Sequence, residues 1–176
     1  MIKYKAWGNV YVMKTVLVVH NVRSAHNVGS ILRSADGLGA SEVYLTGYTP
    51  YPAMKGDTRL PHIARKVDAQ IQKTALGAEK SLKWAHADDI FTLLGELKRD
   101  GYETVALEQT PEATALQAFK PTQDIALIVG SEVGGIDSKV LKIVDKHIQT
   151  PMSGVKESLN VSVAAAIALH YLRFIA

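Results

Sequence analysis

The sequence predicts an α/β fold with a mainly parallel sheet flanked by helices, in one domain over residues 1–176. Two observations support this prediction. Short runs of β-branched and other apolar residues alternate with longer segments whose apolar residues recur at helical spacing. In addition, no internal repeat, low-complexity tract or linker divides the sequence of 176 residues, which has the usual length of a single domain.

The first three elements follow each other closely. Thr15–His20 (TVLVVH) is a β-branched run and predicts a strand. His26–Leu38 has apolar residues on one helical face, with Asn27 as a candidate N-cap and Gly39 after its last turn. Glu42–Thr46 (EVYLT) predicts a second strand.

The second half repeats the alternation after a loop over Gly47–Pro61 and a basic segment that is helical in places. The remaining predicted elements are the helix Asp88–Arg99, the strands Glu103–Leu107 and Asp124–Val129, the short helix Ser138–Asp145, the short strand His147–Thr150 and the helix Ser158–Ile175. The last helix is apolar almost all round, which predicts burial on more than one side.

Composition excludes several classes of chemistry. The sequence has no cysteine, so disulfides, cysteine-bound zinc, iron–sulfur clusters and thiolate nucleophiles are ruled out. The six histidines show no metal-ligand spacing, and we expect no metal. No apolar run could span a bilayer and Met1–Val12 lacks the features of a signal peptide, so we expect a cytoplasmic protein without a membrane partner.

Positive charge is concentrated in one segment. The net charge of the sequence is +3, but Lys55–Lys83 holds seven basic and three acidic residues, whereas the rest of the chain is close to neutral. A basic segment on a near-neutral body is typical of a protein with a polyanionic partner. The solvated face of a lysine-rich helix would give the same composition, and the charge alone does not separate the two.

A glycine-rich turn follows the most apolar predicted strand. Gly130–Gly135 (GSEVGG) contains neither the GxxxxGK[ST] phosphate loop nor the GxGxxG dinucleotide fingerprint. Ligands of open α/β sheets bind beyond the carboxyl ends of the strands, and glycines there let the backbone approach a flat ligand. A tight turn with a surface glutamate, Glu132, is the alternative interpretation.

Three segments, taken in order, resemble the three motifs of the SpoU (TrmH) family of RNA 2′-O-ribose methyltransferases, in the SPOUT superfamily. They are Asn27–Arg33 (NVGSILR), Ile128–Glu132 (IVGSE), and Pro151–Gly154 (PMSG) with Ser158–Ala166 (SLNVSVAAA). The resemblance runs from about Thr15 to the C-terminus. It implies an α/β domain whose C-terminal part forms a deep trefoil knot that binds S-adenosylmethionine.

The resemblance assigns the cofactor pocket to four residues: Gly130, Thr150, Met152 and Leu159. Thr150 departs from the family pattern, in which isoleucine usually precedes the Pro-Met pair. Because the contact at this position is largely made by the main chain, we expect weakened packing at most.

The resemblance also implies five catalytic positions: Arg33, Asn27, Glu132, Ser158 and Asn160. The family's arginine is proposed to activate the ribose hydroxyl. Because the pKa of arginine is very high, we expect its charge to stabilise the alkoxide and hold the adjacent phosphate. Asn27 and Asn160 would fix the geometry and Glu132 would orient Arg33. Capping of helices is an equally good interpretation of Asn27 and Ser158.

The family also implies RNA as substrate, tRNA ahead of rRNA, and a homodimer packed through the C-terminal helix. The sequence shows no separate RNA-binding domain, so the basic segment is the candidate RNA surface, with Arg59, Arg65 and Lys66 as its phosphate contacts. Two alternatives stay open at this point: a non-catalytic RNA-binding homologue, and a nucleotide-binding module without an RNA partner.

Overall fold

The protein contains a seven-stranded sheet in which every strand pair is parallel. The computed structural model describes residues 13–176, and the expectation for Met1–Val12 lies outside the described residues. The strands are β1 (Thr15–His20), β2 (Glu42–Thr46), β3 (Trp84–Ala87), β4 (Glu103–Leu107), β5 (Thr114–Ala115), β6 (Ile125–Val129) and β7 (Lys146–Gln149). Their order across the sheet is β3-β2-β1-β6-β4-β7-β5.

Helices cover both faces of this sheet, as a parallel sheet requires. They are α1 (Ala25–Leu38), α2 (Pro61–Ala75), α3 (Ala78–Ser81), α4 (Ile90–Arg99), α5 (Ser138–Leu141) and α6 (Val161–Phe174), with one turn of 3₁₀ helix at Leu116–Ala118. One core lies between the sheet and α1, α2 and α6, and a smaller core lies under α4 and α5. Within residues 13–176, no helix has the length and apolar character needed to cross a membrane.

The α/β prediction is confirmed, and most predicted strands match within a residue. Every residue of β6 is buried, at the centre of the sheet, as its continuous apolar run requires. The strands β3 and β5 were not predicted. Trp84–Ala87 contains no β-branched residue and Thr114–Ala115 is too short for a period to show, and both lie at sheet edges. The trefoil knot stays a prediction.

Three predicted helices are shorter than expected. α4 begins at Ile90 instead of Asp88, because the side chain of Asp89 accepts hydrogen bonds from the backbone N–H groups of Phe91 and Thr92 and caps the helix. α5 ends at Leu141 instead of Asp145, because the side chain of Asp145 turns to accept hydrogen bonds from the backbone and hydroxyl of Thr104. α6 begins at Val161 instead of Ser158, because Asn160 has an extended backbone and caps the helix. The loop before α6 is therefore longer than predicted, and its residues lie beside the ends of β4, β6 and β7.

The contact between α1 and α2 depends on Gly29. This residue is buried, and a Cβ atom built on it would collide with the hydroxyl of Thr74 and the carbonyl oxygen of Ile71 in α2. The same hydroxyl donates a hydrogen bond of 2.8 Å to the carbonyl oxygen of His26. A glycine at this position therefore lets the last turn of α2 touch the backbone of α1.

We predict that Gly29→Ala destabilises the protein, with Gly37→Ala as the matched control. The added methyl group of Gly29→Ala forces the two helices apart, at a cost of about 1–3 kcal/mol in the free energy of unfolding. Gly37 lies in the same helix, and a Cβ atom there would meet nothing within 4 Å, so alanine should stabilise by about 0.5–1 kcal/mol. Urea unfolding of both variants measures the difference. Equal stabilisation by both substitutions would contradict the close contact.

Candidate active site

A cleft of about 600 Å³ opens where the carboxyl ends of β4, β6 and β7 meet the start of α6. Its volume is in the usual range for a small-molecule site. All four predicted cofactor residues line it: Gly130, Thr150, Met152 and Leu159. Three of the predicted catalytic residues line it as well: Glu132, Ser158 and Asn160. The structure therefore brings the second and third sequence motifs together at one edge of the sheet.

The floor of the cleft is a tight turn that excludes a side chain at Gly130. Ser131 and Gly135 exchange two backbone hydrogen bonds of 3.0 and 3.1 Å, which fold the turn back on the end of β6. A Cβ atom at Gly130 would collide with the backbone of Gly135 and Ile136. Glycine at this position therefore lets the turn close against the end of β6, and Gly130 itself lines the cleft.

Glu108 and Gln109 form a second wall of the cleft that the sequence motifs did not predict. The carboxylate of Glu108 accepts a hydrogen bond of 2.8 Å from the backbone N–H of Ile136 and so holds the glycine turn. The side-chain amide of Gln109 donates a hydrogen bond of 2.6 Å to the carbonyl oxygen of Glu157 in the loop before α6. Two polar residues directly after the predicted strand Glu103–Leu107 were the available signal.

A chain of hydrogen bonds joins the three motifs at the mouth of the cleft. One carboxylate oxygen of Glu132 accepts from the side-chain amide of Asn27 at 2.8 Å, and Glu132 also accepts from the backbone N–H groups of Arg23 and Ser24 at 3.0 and 3.2 Å. The amide of Asn160 then donates to Asn27 Oδ1 at 3.2 Å. These contacts fix the start of α1 against the glycine turn and the start of α6.

These donors also set the charge of Glu132. Burial raises the pKa of its carboxyl, but the hydrogen bonds from the Arg23 backbone, the Asn27 side chain and the Ser24 backbone outweigh burial, so the pKa lies below its ordinary value. Glu132 is therefore ionised at neutral pH. Because its oxygens already accept these N–H groups, we assign it the anchoring of α1 rather than proton transfer.

The capping alternatives for Asn27 and Ser158 are wrong. Ser24 caps α1, since its hydroxyl accepts from the backbone N–H of Asn27, and Asn27 lies within the first helical turn. Asn160 caps α6, since its Oδ1 accepts from the backbone N–H of Ser162 at 2.8 Å. Ser158 lies in the preceding loop, exposed and on the wall of the cleft.

Arg33 does not line this cleft, and Glu132 does not contact it. Arg33 follows Asn27 by six residues, which is about 600° of helical rotation. The side chains of Asn27 and Arg33 therefore point in directions about 120° apart, on different faces of α1. Arg33 is exposed and borders a separate groove between α1 and α2. The expectation that Glu132 orients Arg33 is therefore wrong within one protomer.

Among the predicted RNA contacts, Arg59 differs from the other two. Its guanidinium bonds both carboxylate oxygens of Asp57, donates to the carbonyl oxygen of Tyr51 at 2.9 Å and lies 3.6 Å from the centroid of the Tyr51 ring. The guanidinium of Arg59 is therefore used in contacts within its own loop, and its assignment as a free phosphate contact is not supported. Arg65 and Lys66 are exposed on α2.

Thr150 has an orphaned polar atom beside the cleft. Its hydroxyl is buried and, among residues 13–176, has no hydrogen-bond partner. This hydroxyl and the backbone of the glycine turn, which lines the cleft, fit a ligand with polar atoms, such as an adenosyl group. The described residues contain no group of three or more histidine, aspartate or glutamate side chains that could hold a metal ion.

Comparison with known proteins decides the family. Residues 14–170 match the model of the SpoU rRNA Methylase family. The chain belongs to this family. It is 29% identical over 155 residues to the tRNA (guanosine(18)-2′-O)-methyltransferase of Aquifex aeolicus, which covers 88% of this chain and 66% of the relative. It is also 29% identical to a 23S rRNA (guanosine(2553)-2′-O)-methyltransferase of Bacillus subtilis, over 91% of this chain and 58% of the relative.

Solved structures of the family share the fold. The A. aeolicus TrmH/SpoU tRNA modifying enzyme superposes with a TM-score of 0.74 at 26% identity, over 91% of this chain and 74% of that one. The methyltransferase AviRb of Streptomyces viridochromogenes, solved with its cofactor AdoMet, gives a TM-score of 0.74 at 22% identity, over 93% and 58%. The chain spans about two thirds or less of the length of the curated relatives cited here.

We predict that Thr150→Val makes the ligand-free protein more stable, with Thr49→Val as the control. An unsatisfied buried hydroxyl costs about 1–3 kcal/mol, so an isosteric methyl group should raise the free energy of unfolding by about 1 kcal/mol. The buried hydroxyl of Thr49 accepts from Val22 and donates to Val19, so valine there should destabilise. Denaturant unfolding in the absence of ligand measures both. Destabilisation by Thr150→Val would show that the hydroxyl is satisfied.

Proposed function

We propose that this protein transfers a methyl group from S-adenosylmethionine to a ribose 2′-hydroxyl of RNA. The observation that carries the proposal is the cleft at which the second and third motifs meet, tied to the first motif through Glu132, Asn27 and Asn160. Family membership supports the reaction type, and the unpartnered hydroxyl of Thr150 beside the cleft supports a bound cofactor.

The cofactor would be held by Gly130, Thr150, Met152 and Leu159. It supplies a methyl group on a positively charged sulfur, which is already a good electrophile. What the protein must add is alignment of the hydroxyl and stabilisation of its developing negative charge. The backbone around Gly130 would face the flat base, and the hydroxyl of Thr150 would gain the partner that it lacks.

The catalytic role would fall to Arg33 and Ser158, with three positioning residues behind them. Arg33 lies outside the cleft, so its exposed guanidinium would act from the side of the RNA: it would hold the phosphate next to the acceptor ribose, and its charge would favour the alkoxide formed when the hydroxyl proton passes to water. Arg33 would not be the base, because a guanidinium keeps its own proton at neutral pH. Ser158, exposed on the cleft wall, would contact the acceptor nucleotide. Asn27, Glu132 and Asn160 would keep the cleft in shape through their hydrogen bonds.

Transfer of a labelled methyl group from S-adenosylmethionine into total RNA, followed by nuclease digestion and nucleoside analysis, tests the reaction. We expect 2′-O-methylated nucleosides, in tRNA ahead of rRNA, since the chain covers 66% of the A. aeolicus relative, which is named for tRNA, and 58% of the B. subtilis relative, which is named for rRNA. Calorimetry should show binding of the cofactor, lost in Gly130→Val and kept in Gly154→Ala, where the side chain meets nothing within 4 Å. Label on a base would refute the proposal, and RNA binding without methyl transfer would favour a non-catalytic homologue.

We predict that Arg33→Ala removes nearly all methyl transfer and changes cofactor affinity by only a few fold. The reason is that Arg33 lies outside the cleft that would hold the cofactor and would act on the RNA through the phosphate next to the acceptor ribose. Arg33→Lys should restore little, since an ammonium group lacks the planar fork of the guanidinium. Single-turnover rates and calorimetry separate the two effects. Full activity of Arg33→Ala would remove Arg33 from the mechanism.

We further propose that the protein is a homodimer joined through α6. One face of α6 is buried in the protomer, whereas Val163, Ile167 and Phe174 are 46%, 39% and 61% exposed. Their spacing places them in one apolar stripe along the helix. The apolar sequence of α6 predicts burial on more than one side, and a single protomer buries only one. A second copy of α6 would cover the stripe by symmetry.

We predict that Ile167→Glu converts the dimer into a monomer and lowers methyl transfer. A charge at the centre of a desolvated apolar contact is costly, so the dimer should dissociate. Light scattering after size exclusion measures the mass. Phe91→Glu is the matched control, because Phe91 is similarly exposed on α4, on the other side of the sheet, and should leave the mass unchanged. A wild-type monomer, or an Ile167→Glu dimer, would exclude this interface.

A further inference from the structure

A polar groove of about 480 Å³ lies between α1 and α2, on a different face of α1 from the cleft. Ser30, Arg33 and Ser34 line it from α1, and Lys73 and Thr74 line it from α2. The groove therefore has two cations and three hydroxyl groups but no acidic or apolar side chain in its lining. Such a lining suits a phosphate group, which accepts hydrogen bonds and carries negative charge.

Neither cation of the groove is neutralised within the protein. Across residues 13–176, Arg33 and Lys73 form no ion pair and no side-chain hydrogen bond, whereas Lys83 and Lys98 are paired with Glu42 and Asp145. Both groove cations are exposed. Two uncompensated positive charges facing one depression make it attractive to an anion.

The groove is also rigid. Thr74, next to Lys73, donates to the backbone of His26, and Gly29 brings the backbones of the two helices into contact. The Cα positions of Arg33 and Lys73 are therefore fixed relative to each other by packed helices rather than by loops. The two helices that form the groove are already in place before a ligand binds. Only the side chains of Arg33 and Lys73 would have to become ordered, which lowers the entropic cost of binding.

A basic stripe leads away from the groove along α2. His62, Arg65, Lys66 and Lys73 lie on one exposed face of this helix, because their positions recur at helical spacing. From His62 to Lys73 the stripe spans about 16 Å of helix axis. Arg65 and Lys66 are thus placed in line with the groove.

We infer that this groove holds a backbone phosphate of the RNA substrate, with Lys73 as a contact residue beside Arg33. The inference rests on the proposed function. Asn27, at the mouth of the cleft, and Arg33 are about 9 Å apart along the axis of α1 and about 120° apart around it, a separation that a nucleic-acid strand covers within a few phosphates at about 3.4 Å each. A strand that presents a ribose to the cleft therefore brings a nearby phosphate to the groove. A protein partner would need an apolar contact at its centre, which the groove lacks.

Salt-dependent binding of a short, labelled single-stranded RNA and of bulk tRNA tests this inference. Lys73→Ala should weaken binding several-fold at low salt and flatten the slope of log affinity against log salt by about 0.7 for the single strand. Lys73→Arg keeps the charge and should keep the slope. Lys80→Ala is the matched control, an exposed lysine of the same basic segment outside the groove.

The measurement of S-adenosylmethionine binding separates this inference from the proposed function. Lys73→Ala should bind the cofactor as wild type does and should raise the KM for RNA more than it lowers kcat. If Lys73→Ala and Lys80→Ala show the same slope as wild type, the groove holds no phosphate, whatever the enzyme's activity. If the wild-type protein binds RNA through Lys73 but transfers no methyl group, the groove stands and the proposed reaction fails.

Discussion

The carboxylate of Glu132 accepts hydrogen bonds from the backbone of Arg23 and Ser24 and from the side chain of Asn27, more than a hundred residues earlier in the sequence. The position of the first motif beside the other two depends on this anchor. It fixes the first turn of α1 beside the glycine turn, and through Asn27 it positions Asn160, which in turn caps α6. One ionised side chain and the two asparagines thus link the three sequence motifs directly.

The anchor works because the sheet brings its members to one edge. β1 and β6 are parallel neighbours, so the chain leaves both at their carboxyl ends, and the loops that follow them carry Ser24 and Glu132. β4, on the other side of β6, adds Glu108, which holds the glycine turn from beneath. Two carboxylates therefore hold the turn: its own Glu132 binds the start of α1, and Glu108 at the end of β4 accepts from the backbone N–H of Ile136.

The strands and the cleft could be predicted from the sequence because they follow from local patterns. β1, β2, β4 and β6 are runs whose composition shows their burial, and the motifs that line the cleft directly follow two strands. Edge strands carry a weaker signal, since β3 and β5 are short and only partly buried. Caps also escaped prediction: Ser24 and Asn27 are both good caps by type, and only the geometry of the turn selects Ser24.

The directions of side chains could not be predicted, and these decide the roles of the two arginines. Arg33 belongs to the first motif in sequence, but helical rotation places it on the α2 side of α1, away from Glu132. Arg59 belongs to the basic segment, but its charge is neutralised by an ion pair with Asp57, two residues earlier. By composition, both arginines are available cations. In the structure, Arg33 is exposed beside Lys73, whereas Arg59 holds its own loop.

The cleft and the groove differ in chemistry, and each suits a different kind of ligand. The cleft has the backbone of the glycine turn, an unpartnered hydroxyl at Thr150 and the side chains of Glu108, Glu132 and Glu157, so its lining suits a polar ligand rather than a polyanion. The groove has no carboxylate and two uncompensated cations, so its free surface suits phosphate. α1 contributes to both, with its first turn at the cleft and its middle at the groove. The helix that Glu132 anchors therefore sets the distance between the two binding surfaces.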